Sequence, residues 1–303
     1  MPLEIVRNRP LAPLTTLKIG GPAEFFCNPA SIEELKEALS FASANNLSPV
    51  WFGGGSNLLI HDRGVGGLVI RLSRRFSQIT VERDEIVVEA GCWLPSLMKF
   101  GCDKSVLDLS FCAGIPGTVG GAVYMNAGTK EGNVSDKVKW VSLMNPETLE
   151  ELRCSSKEMG FGYRSSMLQE GKQIVTRVAF RRENGDGKAW WEKVKQNVRW
   201  RKDRQPKGVR TAGCFFENPP GLSAGELIDR AGLKGMHVGD AVVSPVHANF
   251  LVNRGHATSE DLFNLIHDVR KGVFEHCGLE LSLEVRLLGF SDGELDVLDH
   301  AVS

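Results

Sequence analysis

Over about the first 180 residues the apolar positions fall in short runs separated by glycine and polar breaks. Runs of this length, rich in Val, Ile and Phe, predict β-strands. They lie at Val50, Trp51 and Phe52, at Leu58–Ile60, in GLVIRLSR from Gly67, EIVVEAG from Glu85, WVSLMNP from Trp140 and IVTRVAF from Ile174. One segment, 31–47, has the helical period instead. Ser31 can cap it, Glu34 completes a capping box, and Leu35, Leu39 and Ala42 form one stripe. From Arg181 to Gly208 the chain turns polar and basic, with Trp190, Val194 and Val198 at helical spacing, which predicts a domain junction near residue 182. Beyond it the pattern predicts a short helix at about 223–232, strands around AVVSP and ANFLVN, and a helix at 259–276. In the latter Thr258 and Asp261 fit a capping box, Leu262, Ile266, Val269 and Val273 share a face, and Gly278 follows the end. A last strand, LSLEVRLLG, puts Leu281, Leu283, Val285 and Leu287 on one side and Ser282, Glu284 and Arg286 on the other. The acidic tail predicts disorder. The expected organisation is an α+β chain with domains at 1–181 and 182–292 and a disordered tail at 293–303.

Composition narrows the class. The chain is 42% hydrophobic and 24% charged with net charge -1, which suits a globular enzyme and argues against a nucleic-acid partner. No stretch approaches the roughly 18 apolar residues of a membrane span, and the N-terminus shows no apolar leader core, so no membrane partner is expected. The seven cysteines form no CxxC pair, which argues against disulfides and zinc and for the reducing cytoplasm. The sequon Asn133-Val134-Ser135 is then a chance match. Glycine is in mild excess, 33 residues, and it is clustered.

The first cluster is Gly53-Gly54-Gly55-Ser56-Asn57-Leu58. Without Cβ atoms its backbone N–H groups can converge on an anion such as a pyrophosphate. Leu58 breaks a GxGxxG fingerprint and no GK[ST] follows, so a plain hairpin loop is the alternative. The second is Gly114-Ile115-Pro116-Gly117-Thr118-Val119-Gly120-Gly121-Ala122, suited to close packing on a flat ring or phosphate, or else a tight turn. Two such clusters in one strand-rich half favour a large dinucleotide. Cys214, between Gly213 and Phe215, is a packed core residue or a thiol able to donate a proton. Glu284 and Arg164 read alone are ordinary surface charges, and the basic run from Arg199 through Arg204 to Arg210 is a solvated face or a diphosphate site. His237, His247 and His256 have no metal-ligand spacing, so no metal is expected.

In order and spacing, GGGSNLL at 53–59, GIPGTVGGAVYMNAG at 114–128, GYRSS at 162–166, AGCFFENP at 212–219 and the HANF and LEVR pair resemble the MurB family of UDP-N-acetylenolpyruvoylglucosamine reductases. The resemblance spans nearly the whole chain. It implies an FAD-binding domain of the vanillyl-alcohol-oxidase type followed by a smaller α/β substrate-binding domain. It implies non-covalent FAD, NADPH as hydride donor, and reduction of UDP-N-acetyl-enolpyruvoylglucosamine to UDP-N-acetylmuramate for peptidoglycan; the chain is expected to be a monomer. By position it makes Arg164, Cys214 and Glu284 catalytic. It assigns Gly53, Gly54, Gly55, Ser56, Asn57, Leu58, Ile115, Pro116, Gly117, Thr118, Gly120, Gly121 and Ala122 to FAD, and Arg204, Asn218, His247 and Asn249 to the substrate. Cys214 stands where the family usually has serine, and Glu217 where it has lysine. No room exists between Arg164 and Cys214 for the tyrosine-bearing insertion of one subgroup, so the chain resembles the shorter one. The rival readings are an FAD-dependent alcohol or sugar oxidase of the same fold, with flavin attached through a histidine such as His61 or His247, and a non-catalytic nucleotide-binding relative.

Overall fold

The computed structural model describes residues 3–299, which form two compact units. The first comprises the chain up to Arg7, Phe25–Gly54 and Gly67–Arg201; the second comprises Asn8–Glu24, Gly55–Gly66 and the chain from Lys202 onward.

In the first unit an antiparallel sheet runs in the order Glu151–Ser155, Val138–Met144, Ile174–Arg181, Glu85–Glu89, Ile79–Val81. Val178 faces Val141 on one side and Val88 on the other. All three are fully buried, with Ile86, Phe180 and Leu143, in one apolar core. Helix Leu94–Lys104 closes that core with Leu94, Leu97, Met98 and Cys102. Its Gly101 is forced, because a Cβ there would lie 2.3 Å from the Leu107 carbonyl oxygen. A second sheet orders Ile5–Pro10, Pro22–Cys27, Val65–Ile70 and Pro49–Trp51. Helix Ile32–Ala44 packs Leu35, Ala38, Leu39 and Ala42 against Phe25, Cys27, Leu68 and Ile70 of that sheet. Ser31 Oγ accepts from the Glu34 N–H at 3.2 Å, and the Glu34 carboxylate reaches back to the Ala30 N–H at 2.8 Å, one residue beyond the usual box.

In the second unit, antiparallel strands His237–Val238, Ala241–Val243 and Leu251–Asn253 pack on helices Ala224–Arg230 and Ser259–Cys277. The core holds Leu17, Leu59, Phe215, Phe216, Leu262, Ile266, Val269 and Val273, all fully buried. The long helix is capped as its sequence predicts. Thr258 Oγ1 accepts from Asp261 N–H at 3.0 Å, the Asp261 carboxylate accepts from Thr258 N–H at 2.9 Å, and Gly278 turns at φ +67°.

Four expectations are corrected. Strands Pro49–Trp51 and Leu58–Ile60 do not form a hairpin across the first glycine cluster. The former pairs in parallel with Leu68–Ile70, the latter in parallel with Arg286–Leu288. The expected final strand is broken, since the N–H groups of both Glu284 and Val285 turn to the Phe215 carbonyl, at 2.8 and 3.4 Å. Two residues facing one is a bulge, which bends a strand and re-aims its side chains. The basic segment is helix Gly187–Arg204, and it packs Val194 into the first unit's core. A Cβ on Gly187 would clash with the Cys102 carbonyl oxygen, so this helix starts against the first unit, which extends to Arg201 rather than ending near 182. Finally, Asp292–Asp299 is a helix rather than disordered chain; positions 300–303 lie outside the described residues. Leu298 is buried in the second core, Arg63 pairs with Glu294 at 2.5 Å, and Arg270 donates to the Leu298 carbonyl at the helix end. The hydrogen bonds to Glu294, from Arg63 first and Ser291 next, hold its carboxyl down at about 2.

Candidate functional site

The first unit brings the two glycine clusters together. A Cβ on Gly54 would lie 2.6 Å from Gly117 Cα and 3.0 Å from Trp93 Cζ3, while one on Gly53 would lie 3.3 Å from Thr118 Oγ1. The second cluster is laid along residues 90–94: Val119 N–H donates to the Cys92 carbonyl (2.8 Å), Gly120 N–H to Ala90 (2.9 Å), and Leu94 N–H to Gly117 (2.9 Å). Ile115 N–H donates to Cys112, at 2.9 Å. Thr118 caps the short helix Val119–Tyr124, its Oγ1 accepting from Gly121 N–H at 3.3 Å. Ala122 N–H closes the first turn on the Thr118 carbonyl, at 2.9 Å. Pro116 and Gly117, the latter at φ +120°, form the apex. The two loops thus meet backbone to backbone at Gly54 and Gly117, with the exposed ring of Trp93 against Gly54. Nothing in the sequence singled out Trp93.

Arg164 sits in the same unit, in a turn closed by the Gly162 N–H to Ser165 carbonyl bond at 3.1 Å. Its φ is +53°, a conformation that costs a non-glycine residue on the order of 1–3 kcal/mol. The turn is held by residues that follow the second glycine cluster. Asn126 Nδ2 donates to the Gly162 carbonyl (2.8 Å), Ser166 Oγ to Tyr124 (2.8 Å), and Gln169 Nε2 to the Arg164 carbonyl (2.8 Å). The guanidinium donates to the Gly128 carbonyl at 3.1 Å and lies 5.0 Å from the Tyr163 ring centre. The strained backbone is thus over-determined by three side chains.

The second unit gathers the rest. Cys214 is half-buried and bridges Phe250, while Phe216 bridges Leu283. Phe215 joins the two pieces, since its N–H donates to the Asn249 carbonyl (2.9 Å) and its carbonyl accepts from Glu284 N–H (2.8 Å). Cys214 thus directly precedes the fully buried phenylalanine to which Glu284 is hydrogen-bonded. Glu284 lies at the bulge. Its own carbonyl accepts from Asn57 Nδ2 at 2.9 Å, and the Asn57 carbonyl accepts from Arg286 N–H at 3.0 Å. The end of the first glycine cluster is therefore divided. Gly55, at φ +69°, accepts from Thr16 N–H (2.9 Å); Ser56 follows; the Asn57 amide serves Glu284, and Leu58 enters the strand beside Arg286.

Of the expected substrate residues, Asn218 is exposed, and its Oδ1 accepts from Ala224 N–H at 2.9 Å. Arg204 is the exposed last residue of helix Gly187–Arg204. Asn249 is only 2% exposed and both ends of its amide are bonded to Phe216, which takes its side chain out of reach of a substrate. His247 is half-buried, its Nδ1 accepts from Asn249 N–H at 3.3 Å, and its ring packs edge-on to Phe250. Burial, aided by the Lys234 charge, pushes the imidazole below its ordinary 6.5. A depressed histidine favours the folded state while neutral, so its contribution is complete above pH 6.5 and is lost as pH falls below it. Between pH 7.5 and 5.5, urea unfolding is expected to show a smaller loss of stability for His247→Gln than for the native chain; equal losses would contradict this. Among the described residues no group of His, Cys, Asp and Glu could hold a metal ion, and no helix is long and apolar enough to cross a membrane.

Residues 205–288 match the UDP-N-acetylenolpyruvoylglucosamine reductase C-terminal domain, and residues 23–153 match an FAD binding domain. The UDP-N-acetylenolpyruvoylglucosamine reductase of Heliobacterium modesticaldum is 41% identical over 292 residues, covering 96% of this chain and 93% of the relative. That of Moorella thermoacetica is 41% identical over 287 residues, covering 95% and 94%. This chain belongs to the UDP-N-acetylenolpyruvoylglucosamine reductase family. The crystal structure of the family's MurB from Thermus caldophilus, 38% identical, matches with a TM-score of 0.81 over 95% of this chain and 99% of that one. The two family domains follow the α+β order expected of the chain, FAD-binding part first.

Proposed function

We propose that this chain reduces the enolpyruvyl double bond of UDP-N-acetyl-enolpyruvoylglucosamine with NADPH, giving UDP-N-acetylmuramate for peptidoglycan, and that it works as a monomer in the cytoplasm. Family membership supports the reaction. The observation that carries the residue assignment is the Phe215 connection, which fixes Cys214 and Glu284 on neighbouring strands. The two glycine loops, which meet at Gly54 and Gly117 with backbone rather than side chains, would hold FAD, because glycine lets backbone N–H groups come close to a pyrophosphate. Held there, FAD would supply the hydride chemistry that links NADPH to the methylene carbon of the enolpyruvyl group.

The chain's own residues handle the charge and the proton. As the carbon–carbon double bond is reduced, negative charge grows on the substrate carboxylate. Arg164, locked in its turn, supplies a guanidinium to that charge. Glu284 is assigned to assist at the same charge by hydrogen bonding, a role open to a carboxyl group only in its acid form. Cys214 delivers its thiol proton to the carbon next to the carboxylate, replacing the family's usual serine. Arg204, Asn218 and His247 are assigned to the nucleotide-sugar part of the substrate.

NADPH oxidation measured with and without the enolpyruvyl substrate tests the reading: consumption should depend on substrate and match product formed. Glu284→Gln should slow the substrate half-reaction about 100-fold or more and leave flavin reduction by NADPH within twofold. Equal slowing of both halves would remove Glu284 from the chemistry.

A further inference from the structure

The strand that carries Cys214 has a neighbour made of a side chain. The Cys214–Phe250 bridge starts an antiparallel ladder, continued by Phe215 N–H on the Asn249 carbonyl at 2.9 Å. There the opposite backbone leaves, because Phe250 N–H folds back onto the His247 carbonyl in a turn (2.9 Å). Phe216 would lose both of its ladder bonds. Instead the Asn249 amide supplies them, Oδ1 accepting from Phe216 N–H at 2.9 Å and Nδ2 donating to the Phe216 carbonyl at 2.8 Å. Asn249 is 2% exposed and Phe216 fully buried, so no water stands in for these bonds. The Asn249 N–H is itself fixed on His247 Nδ1, at 3.3 Å. On the far side of the same two phenylalanines lies the Glu284 bulge.

We infer that Asn249 is a positioning residue for the reaction: its amide holds the 214–216 strand in register and thereby sets where the Cys214 thiol stands relative to Glu284. An amide is the side chain that offers one acceptor and one donor in the spacing of a peptide group. A misplacement of about 1 Å at a proton donor can cost on the order of 100-fold in rate. The inference rests on Cys214 being the proton donor.

The test uses the flavin-loaded native enzyme, Asn249→Leu, which keeps the volume and loses both bonds, and Asn249→Asp, which keeps the acceptor and loses the donor. Three quantities are read: flavin reduction by NADPH, the limiting rate and KM of the substrate step, and alkylation of Cys214 by iodoacetamide relative to exposed Cys277 in the same molecule. Both variants should keep flavin reduction within twofold and KM within threefold. The substrate step should slow by roughly 10- to 100-fold, more for Leu than for Asp, and the Cys214 to Cys277 alkylation ratio should change at least threefold. If Asn249→Leu fails to yield holoenzyme, Asn249→Asp decides on the same readouts. A raised KM with an unchanged limiting rate and alkylation ratio would make Asn249 a substrate contact and overturn the inference. A native chain that does not turn over the enolpyruvyl substrate would undo the reaction itself, and the alkylation ratio separates that failure from this one.

Discussion

Gly54→Val is expected to fold and to retain less than about a tenth of the flavin bound by the native chain, a loss beyond about 1.4 kcal/mol of binding free energy. A Cβ at this position would sit 2.6 Å from Gly117 Cα and 3.0 Å from Trp93 Cζ3. The first of these is backbone, pinned by the Leu94 N–H bond to the Gly117 carbonyl, so it cannot swing aside as a long side chain would. The two glycine loops must separate, and the wall they form opens. Gly121→Ala provides the contrast, since its Cβ would meet only Thr118 Oγ1, at 3.4 Å. Loss of flavin there would mean that the cofactor itself approaches Gly121. Circular dichroism and flavin absorbance decide the case; a folded Gly54→Val protein with full flavin would show that this wall does not hold the cofactor.

Cys214→Ala is expected to leave flavin bound and reducible by NADPH, while product formation falls by about 100- to 10,000-fold, the usual loss on removing a general acid. Phe215 and Phe216 carry the packing beside it, and Cys214 is only half-buried, so the fold should survive. A thiol is a far stronger acid than a serine hydroxyl, which stays protonated across the working range. The native substrate half-reaction should therefore decline as pH rises, and Cys214→Ser should remove that decline or move it to higher pH. Stopped-flow measurement of the half-reaction across pH gives the answer. An alanine variant with near-normal turnover would make Cys214 a packing residue and leave the proton to another source.

The parts of the fold that local chemistry controls were legible in the sequence. Ser31 with Glu34, Thr258 with Asp261, and Gly278 mark helix ends through bonds spanning three to five residues. Helix Leu94–Lys104 was hidden by Pro95 and Gly101, and Gly101 is explained only by the approach of the Leu107 carbonyl. The C-terminal helix was hidden because its charges look solvated, whereas Glu294 is paired with Arg63 across the fold. The boundary was misplaced because a basic, polar helix looks like a linker, though Val194 buries one side of it.

At the candidate site, the glycine clusters announced backbone exposure but not their mutual contact, and the family resemblance, not the pattern, supplied Arg164, Cys214 and Glu284. What no local pattern could reveal is how asparagine amides are used. Asn57 and Asn249 belong to motifs that read as ligand contacts, yet each bonds the backbone of a residue far away in sequence, Glu284 and Phe216.

The most direct measurement is anaerobic reoxidation. The flavin is reduced by light or by one equivalent of NADPH in the absence of oxygen, and UDP-N-acetyl-enolpyruvoylglucosamine is then added. The oxidised flavin spectrum is expected to return in proportion to substrate added, with one UDP-N-acetylmuramate formed for each flavin reoxidised. A flavin that stays reduced until oxygen is admitted, with the substrate recovered unchanged, would contradict it and mark the chain as an oxidase.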